Sequence, residues 1–428
     1  MSGSATGPAG LPARQIAAVA AGNAIEFYDF VTYAFFAVQI GHSFFPSDEP
    51  GVSLLASLAT FGAGFLTRPL GAWVIGRMGD RRGRKPAMLL SFALIGVAVI
   101  GLPLVPPYAS IGVAAPALVL LLRLLQGFAL GGEVGPSTAF LMEAAPLHRR
   151  GLYIAMQAMS ADFAVLVAGL VGMVLAHLLT PVQLDAWGWR VALGLGAVIV
   201  PFALFMRRTL AETHVPRLPP AAAGRRGGHP LRLALLGLAM LAAATTGNYV
   251  LEYMTTYAST TLGLSGRTAL GATAMVGLCG LCCDPLGGWL SDRVGRKPVM
   301  LVPWIVLLAT ILPAFRWLQH EPRGGVLYAV TAALTIASTL ATGTMLVSVT
   351  ESLPARVRSG GIALIYALAI SVFGGATQFM LAWLIRVTGS PLAPAWYMTG
   401  AALLGLVAIV LVPETAPVKV GPMAGPPP

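Results

Sequence analysis

The sequence predicts an all-α membrane protein of twelve transmembrane helices, arranged as two parallel six-helix repeats. Three observations predict it. The chain of 428 residues is 57% hydrophobic and only 10% charged, whereas soluble domains carry about 25% charged residues. Its mean hydropathy is +0.79. Its apolar runs number twelve, and motifs recur in the same order in both halves. A soluble fold with so little charge would expose large apolar patches, and a disordered chain would be rich in charge.

The runs of the first half fall at 15–41, 52–76, 86–105, 114–141, 151–178 and 188–207. Those of the second fall at 232–258, 267–290, 298–318, 325–349, 360–386 and 393–412. Each reaches or approaches the roughly 20 residues that span a bilayer. They are read as helices, because a lipid-exposed strand edge leaves its backbone unsatisfied. The short alternation of a membrane barrel is absent. A polar, basic, Pro/Gly-rich gap separates the sixth run from the seventh. It divides the chain into bundles 1–207 and 232–428 joined by a linker, 208–231.

The repeat is explicit. Gly76-Arg77-Met78-Gly79-Asp80-Arg81-Arg82-Gly83-Arg84-Lys85 follows the second span, and Gly288-Trp289-Leu290-Ser291-Asp292-Arg293-Val294-Gly295-Arg296-Lys297 follows the eighth. Both fit GxxxDRxGRK. Glu143 with Pro146 and Arg150 closes the fourth span, as Glu351 with Pro354 and Arg358 closes the tenth. Gly22-Asn23 precedes Glu26 in span one, and Gly247-Asn248 precedes Glu252 in span seven. An even number of spans per half inserts both halves the same way round, a parallel repeat found in one transporter class.

The net charge of +11 has the size of a nucleic-acid signal, but its placement says otherwise. Arg77, Arg81, Arg82, Arg84, Lys85, Arg149, Arg150, the linker arginines, Arg293, Arg296, Lys297, Arg356 and Arg358 share one set of loops. The opposite set holds Arg190, Arg267, Arg316, Arg323 and Arg386 beside Asp48, Glu49, Asp185 and Glu321. The first set is therefore read as cytoplasmic, with both termini inside. The expected partner is the lipid bilayer, with no nucleic acid. Cys279, Cys282 and Cys283 lie in one apolar run and read as packing residues. No metal or cofactor site and no nucleophile–base constellation is visible, so no enzyme is expected.

The paired GxxxDRxGRK loops in a six-plus-six chain resemble the major facilitator superfamily. Gly22-Asn23 with Glu26-Phe27-Tyr28-Asp29-Phe30, Gly64-Phe65-Leu66, Arg68-Pro69-Leu70-Gly71, and Arg123-Leu124-Leu125-Gln126-Gly127-Phe128 with Gly131-Gly132-Glu133 narrow this. They resemble the metabolite:proton symporters, whose members carry citrate, tricarballylate, 2-oxoglutarate, shikimate, betaine or proline. The stretch from Tyr108 through Gly135 is most similar to the citrate and tricarballylate members. Pro136 and Glu252 depart from the family pattern. The resemblance implies proton-driven import of a small organic acid, a di- or tricarboxylate, across a bacterial inner membrane by a monomer. A betaine or proline symporter and an efflux antiporter are its alternatives.

Charge inside a span costs about 2.5–3.5 kcal/mol on insertion scales and marks function. Here the acids are Glu26, Asp29, Glu133, Asp162, Glu252 and Asp284, and the bases are Arg68 and Arg123. Glu26 and Asp29 share a helix face by their spacing. An Arg beside a carboxylate favours its ionised form, and a dry site without the Arg favours the protonated one. The resemblance pairs Asp29 with Arg123 as the proton-coupling element, with Glu26 beside them. A permanent ion pair that only fixes helix packing is the other reading. Arg68 either binds a substrate carboxylate or snorkels to the interface. Glu133 lies in the cavity or partners an Arg. Gln157, Asp162, Asn248, Tyr249, Glu252 and Tyr253 are expected to line the cavity. Gln126 and Gln378 either donate to a polar substrate or bridge helices, and Asp284 reads as structural. The resemblance makes Asp80, Arg84, Glu143, Arg150, Asp292, Arg296, Glu351 and Arg358 gate residues. An acid among them can meet the positive N-terminus of a helix in the other half.

Overall fold

The computed structural model describes residues 13–82, 84–131, 145–198, 200–201, 230–353 and 358–420. No strand occurs among them. The first span forms α1 (Ala13–Phe35) and α2 (Ala37–Phe44). The second forms α3 (Pro50–Leu66) and α4 (Arg68–Arg82). Then come α5 (Arg84–Leu104), α6 (Ala114–Leu130), α7 (Arg150–Leu178) and α8 (Trp189–Gly194), which opens the sixth span. The second half holds α9 (Pro230–Thr260), α10 (Gly266–Val294), α11 (Arg296–His320) and α12 (Gly324–Ser352). The eleventh span is α13 (Arg358–Leu368) and α14 (Gly375–Thr388), joined by a widened π turn at Ala369–Gly374. The last is α15 (Ala393–Leu411). Among the described residues, eight helices are long and apolar enough to cross a membrane, with two shorter apolar ones, Leu89–Leu104 and Ala114–Leu130. Spans one and six complete the twelve-helix architecture.

Two boundaries differ from the sequence reading. The GxxxDRxGRK segments are largely helical, since α4 runs to Arg82 and α10 to Val294. The second turn shrinks to Gly295, whose φ of +114° suits only a residue without a Cβ. The second span is broken at Thr67, because Pro69 has no N–H to give the carbonyl of Phe65. That carbonyl accepts instead from Ser371 Oγ at 2.8 Å. A backbone defect in one half is thus closed by a hydroxyl from the other, as a water-free interior requires. Arg190, expected among the loop charges, instead donates to the carbonyls of Pro103 (2.6 Å) and Val105 (2.7 Å). There it satisfies the end of α5.

Glycines set how closely the helices approach. A Cβ on Gly127 would lie 1.5 Å from the carbonyl oxygen of Gly64, and one on Gly71 would lie 1.7 Å from that of Phe128. A Cβ on Gly131 would lie 2.0 Å from the oxygen of Arg68. The glycines of the Gly64, Gly71 and Gly127 motifs therefore bring α3, α4 and α6 into backbone contact, as small residues do in membrane bundles. This seam holds Arg123 against α3. Elsewhere α7 lies antiparallel along α10, with Gly169 facing Ala274, Gly277 facing Leu166 and Gly151 facing Gly288.

Gly127→Ala should destabilise the purified protein by at least the roughly 1–3 kcal/mol of an overpacked core. Gly400, whose added Cβ would meet nothing within 4 Å, provides the control. A lower thermal midpoint for Gly127→Ala and an unchanged one for Gly400→Ala are expected. Equal midpoints would show that the seam tolerates the methyl group.

Candidate functional site

The site grows from α1, α3, α6 and α9. On α1, Asp29 points into the bundle and is 1% exposed, as is Arg123 of α6. Their closest charged atoms, Arg123 Nη1 and Asp29 Oδ2, are 4.0 Å apart. Gln126 fills the gap: its Nε2 donates to Asp29 Oδ2 at 2.6 Å, and its Oε1 accepts from Arg123 Nη1. The two ends of the amide match the two charges, acceptor to guanidinium and donor to carboxylate. Arg123 Nη2 also reaches the carbonyl of Phe30 at 3.5 Å. Gly196 of the sixth span comes against Asp29, its would-be Cβ 3.3 Å from Oδ1.

Aromatic faces surround both guanidiniums. Arg123 lies 3.8 Å over Tyr33, 5.3 Å over Phe30 and 5.6 Å over Phe61. Arg68, buried rather than snorkelling, lies 4.4 Å over Phe65 and 4.8 Å over Phe30. Cations over desolvated rings gain about 2 kcal/mol or more. Tyr249 of α9 closes the box with edge contacts to Phe61 (6.2 Å) and Phe65 (5.7 Å). It faces both arginines, and Tyr366 faces Arg68. The sequence reading missed Phe30, Tyr33, Phe61, Phe65 and Tyr366. The signal was available, since Phe61, Phe65 and Arg68 are spaced to share one helix face.

A second polar group lies between α7, α9 and α10. Asn248 Nδ2 donates to Glu252 Oε1 at 3.1 Å, and Glu252 faces Asp162. Asp162 meets Asp284, which is buried beside it. The backbone carbonyl of Gln157 accepts from Asn23 Nδ2 at 3.2 Å, and Ser160 Oγ from the same amide at 2.7 Å. Tyr253 is buried near Tyr257. Gln378 is 1% exposed, and neither of its amide atoms has a partner among the described residues. The side chains of Glu26, Asp80, Arg84 and Arg358, and the whole of Glu133 and Glu143, lie outside the described residues.

At the basic end, Asp292 reaches the first turn of α7. Its Oδ1 accepts from Gly151 N at 2.8 Å and its Oδ2 from Leu152 N at 3.0 Å. These are free donors at a positive helix end. Arg296 links this to the tenth span. It donates to Asp292 Oδ1 at 2.7 Å and, in a two-pronged contact, to Glu351 Oε2 and Oε1 at 3.2 and 3.1 Å. Arg150, whose own contacts also tie it into the protein, begins the same turn of α7. Glu414, which the sequence reading did not single out, caps α11 by accepting from Arg296 N (3.0 Å) and Lys297 N (2.9 Å). At the opposite end Arg386 of α14 pairs with Glu49, just before α3.

The sugar (and other) transporter family profile matches residues 15–215 and 224–421. The chain belongs to this family of the major facilitator superfamily. It is a multi-pass membrane transporter and not an enzyme. It is 36% identical over 401 residues to a citrate-proton symporter of Salmonella typhi, covering 92% of each chain. It is 33% identical to an alpha-ketoglutarate permease of Escherichia coli K12, again over 92% of each. A proline/betaine transporter of Salmonella typhimurium is 30% identical, over 94% of this chain and 84% of that one. Among solved structures, a D-xylose-proton symporter superposes with a TM-score of 0.74 at 16% identity, over 96% of this chain and 99% of that one. That likeness concerns the fold alone.

Glu414 gives this transporter a pH-dependent clasp. Burial alone would raise its carboxyl, but the backbone N–H groups of Ala416, Lys297, Arg296 and Thr415 hold it below the usual value. A depressed carboxyl contributes stability above its unfolded value, and that stability is lost as pH falls through the folded one. Glu414→Gln should cost about 1 kcal/mol near neutral pH, in the range of a helix cap. The gap from wild type should close as pH falls through the depressed folded value, below the ordinary carboxylate range. Thermal midpoints of both proteins across pH check it, and a pH-independent gap would contradict it.

Proposed function

We propose that this transporter is a proton-coupled symporter importing a small organic acid, a di- or tricarboxylate such as citrate or tricarballylate. The observation that carries this is the pair of buried guanidiniums, Arg68 and Arg123, beside one buried acid that Gln126 bridges to Arg123. A guanidinium fork matches a carboxylate in two places. An incoming carboxylate that takes over Arg123 leaves Asp29 without its counter-charge in a dry site, where it takes up a proton. Substrate and proton then travel together. Arg68, Gln378, Gln157, Asn248 and Tyr249 supply the remaining polar contacts. The names of the citrate and alpha-ketoglutarate relatives support the substrate class.

A betaine or proline substrate would also suit an aromatic box. The ring faces of Tyr33, Phe30, Phe61 and Phe65 are, however, occupied by the two guanidiniums. These repel a quaternary ammonium, so the anionic substrate is preferred.

In this reading bundles 1–207 and 232–428 rock about the midplane site. The chain works as a monomer in a bacterial cytoplasmic membrane with both termini inside. Asp292, Arg296, Glu351 and Arg150 act as a gate at the cytoplasmic end, with Asp80, Arg84, Glu143 and Arg358 as their counterparts in the other repeat. Holding Asp292 on the first turn of α7 closes that end while the other opens.

Proteoliposomes under an imposed pH gradient test the function, with citrate, tricarballylate, 2-oxoglutarate, shikimate and betaine as the panel. Each coupled proton moving down one pH unit is worth about 1.4 kcal/mol, about tenfold in accumulation. Wild type should concentrate citrate or tricarballylate to about that extent. Asp29→Asn should only equilibrate it, while retaining exchange. Uphill accumulation by Asp29→Asn, or uptake of betaine alone, would reject the reading.

The gate has its own signature. Asp292→Ala removes two helix-end hydrogen bonds and an ion pair. Turnover should fall about tenfold, equivalent to about 1.4 kcal/mol, with the KM for citrate nearly unchanged. A large rise in KM at normal turnover would place Asp292 in binding instead.

A further inference from the structure

Two buried acids on different helices play no part in the Asp29–Arg123 exchange. Asp162 lies midway along α7 and Asp284 midway along α10, 8% and 2% exposed. Their carboxyl groups stand within hydrogen-bonding distance of each other. The approach is built into the backbone. A Cβ on Gly280, one turn before Asp284, would lie 1.9 Å from Asp162 Oδ2, so only glycine there lets the acid come so near. The flanking contacts of Gly277 with Leu166 and of Gly169 with Ala274 press the two helices together on the same side.

The titratable groups facing the pair among the described residues are Glu252 from α9 and Cys279 and Cys283 from α10. None is a cation. Glu252 is 5% exposed, and its Oε2 has no partner among the described residues; the same holds for Asp284 Oδ2. An ionised carboxylate only accepts hydrogen bonds, and two in contact cannot bond without a proton between them. Like charges a few ångströms apart in a dry interior do not both ionise.

We propose that Asp162 and Asp284 hold one proton in common, making a second proton site that bridges α7 and α10. The proton sits between one oxygen of each acid, and the remaining negative charge is spread over the pair. Separation of α7 from α10 breaks the bridge and frees the proton, so this site follows the opening of the two helices. Its place beside Asp29 in coupling rests on the symport reading above; the shared proton itself does not.

Infrared difference spectra of the full chain in lipid, taken between acidic and alkaline buffer without substrate, test it. The proton is the only ligand involved, so a chain that failed to take up citrate would still give the band. Beside the bands of Asp29, Glu252 and the surface acids, wild type should show one titrating carboxylic-acid C=O band that is lost in Asp162→Asn and equally in Asp284→Asn. The double variant should lose no more than either single one. A spectrum in which no band is lost on either substitution, or in which two separate bands are lost additively, would overturn the shared proton. Should the asparagine variants fail to fold, Asp284→Glu keeps the acid and should displace the same band. A band left unmoved by Asp284→Glu would overturn the proposal as well.

Discussion

The Arg123 guanidinium is the group around which the central site is arranged. It is buried with Asp29 at 4.0 Å, where an effective dielectric near 20 gives an attraction of about 4 kcal/mol. That attraction only offsets the cost of taking both charges out of water. The rest comes from Gln126, which meets each charge with the matching end of its amide, and from the ring faces of Tyr33, Phe30 and Phe61. A charge held this way has two stable arrangements, with its internal partner or with a ligand that replaces it. A transporter needs that choice.

The same constraint governs the backbone. The missing N–H of Pro69 leaves a carbonyl that water cannot reach, and Ser371 of the eleventh span supplies the donor. Asp292 supplies acceptors to the first amides of α7, and Glu414 to those of α11. In each case a polar group on one segment completes the hydrogen bonding of another. Such bonds hold two elements in register, because an interior without water leaves each buried donor and acceptor dependent on the other segment.

Much of this was legible in the sequence. Low charge and long apolar runs left only a helical membrane protein. The repeated GxxxDRxGRK motif showed the six-plus-six symmetry, and its residues gained separate physical reasons in three dimensions. Gly295 takes a conformation that only glycine adopts freely, Asp292 meets a helix end, and Arg296 joins Asp292 to Glu351. The intramembrane charges were visible because each is costly. The aromatic box was not visible, because Phe and Tyr are unremarked among so many apolar residues until two arginines are found between them. Glu414 was missed because an acid after the last span looks like a loop charge until four backbone amides converge on it.

Taken alone, the sequence determined the solvent, the helix count, the repeat and the short list of buried charges, since these follow from composition and spacing along one chain. Composition and spacing could not say which charges meet, and the pairing of Asp29 with Arg123 came from the resemblance alone. Asp29 and Arg123 are 94 residues apart and Asp162 and Asp284 are 122 apart, and no periodicity links such positions. Only tertiary structure decided that the first pair joins through Gln126 over aromatic faces, while the second comes together at Gly280 with no cation facing it. The physical reason is that partner choice inside a membrane is set by backbone approach, and a glycine on one helix, such as Gly280, admits a charge from another, here Asp162.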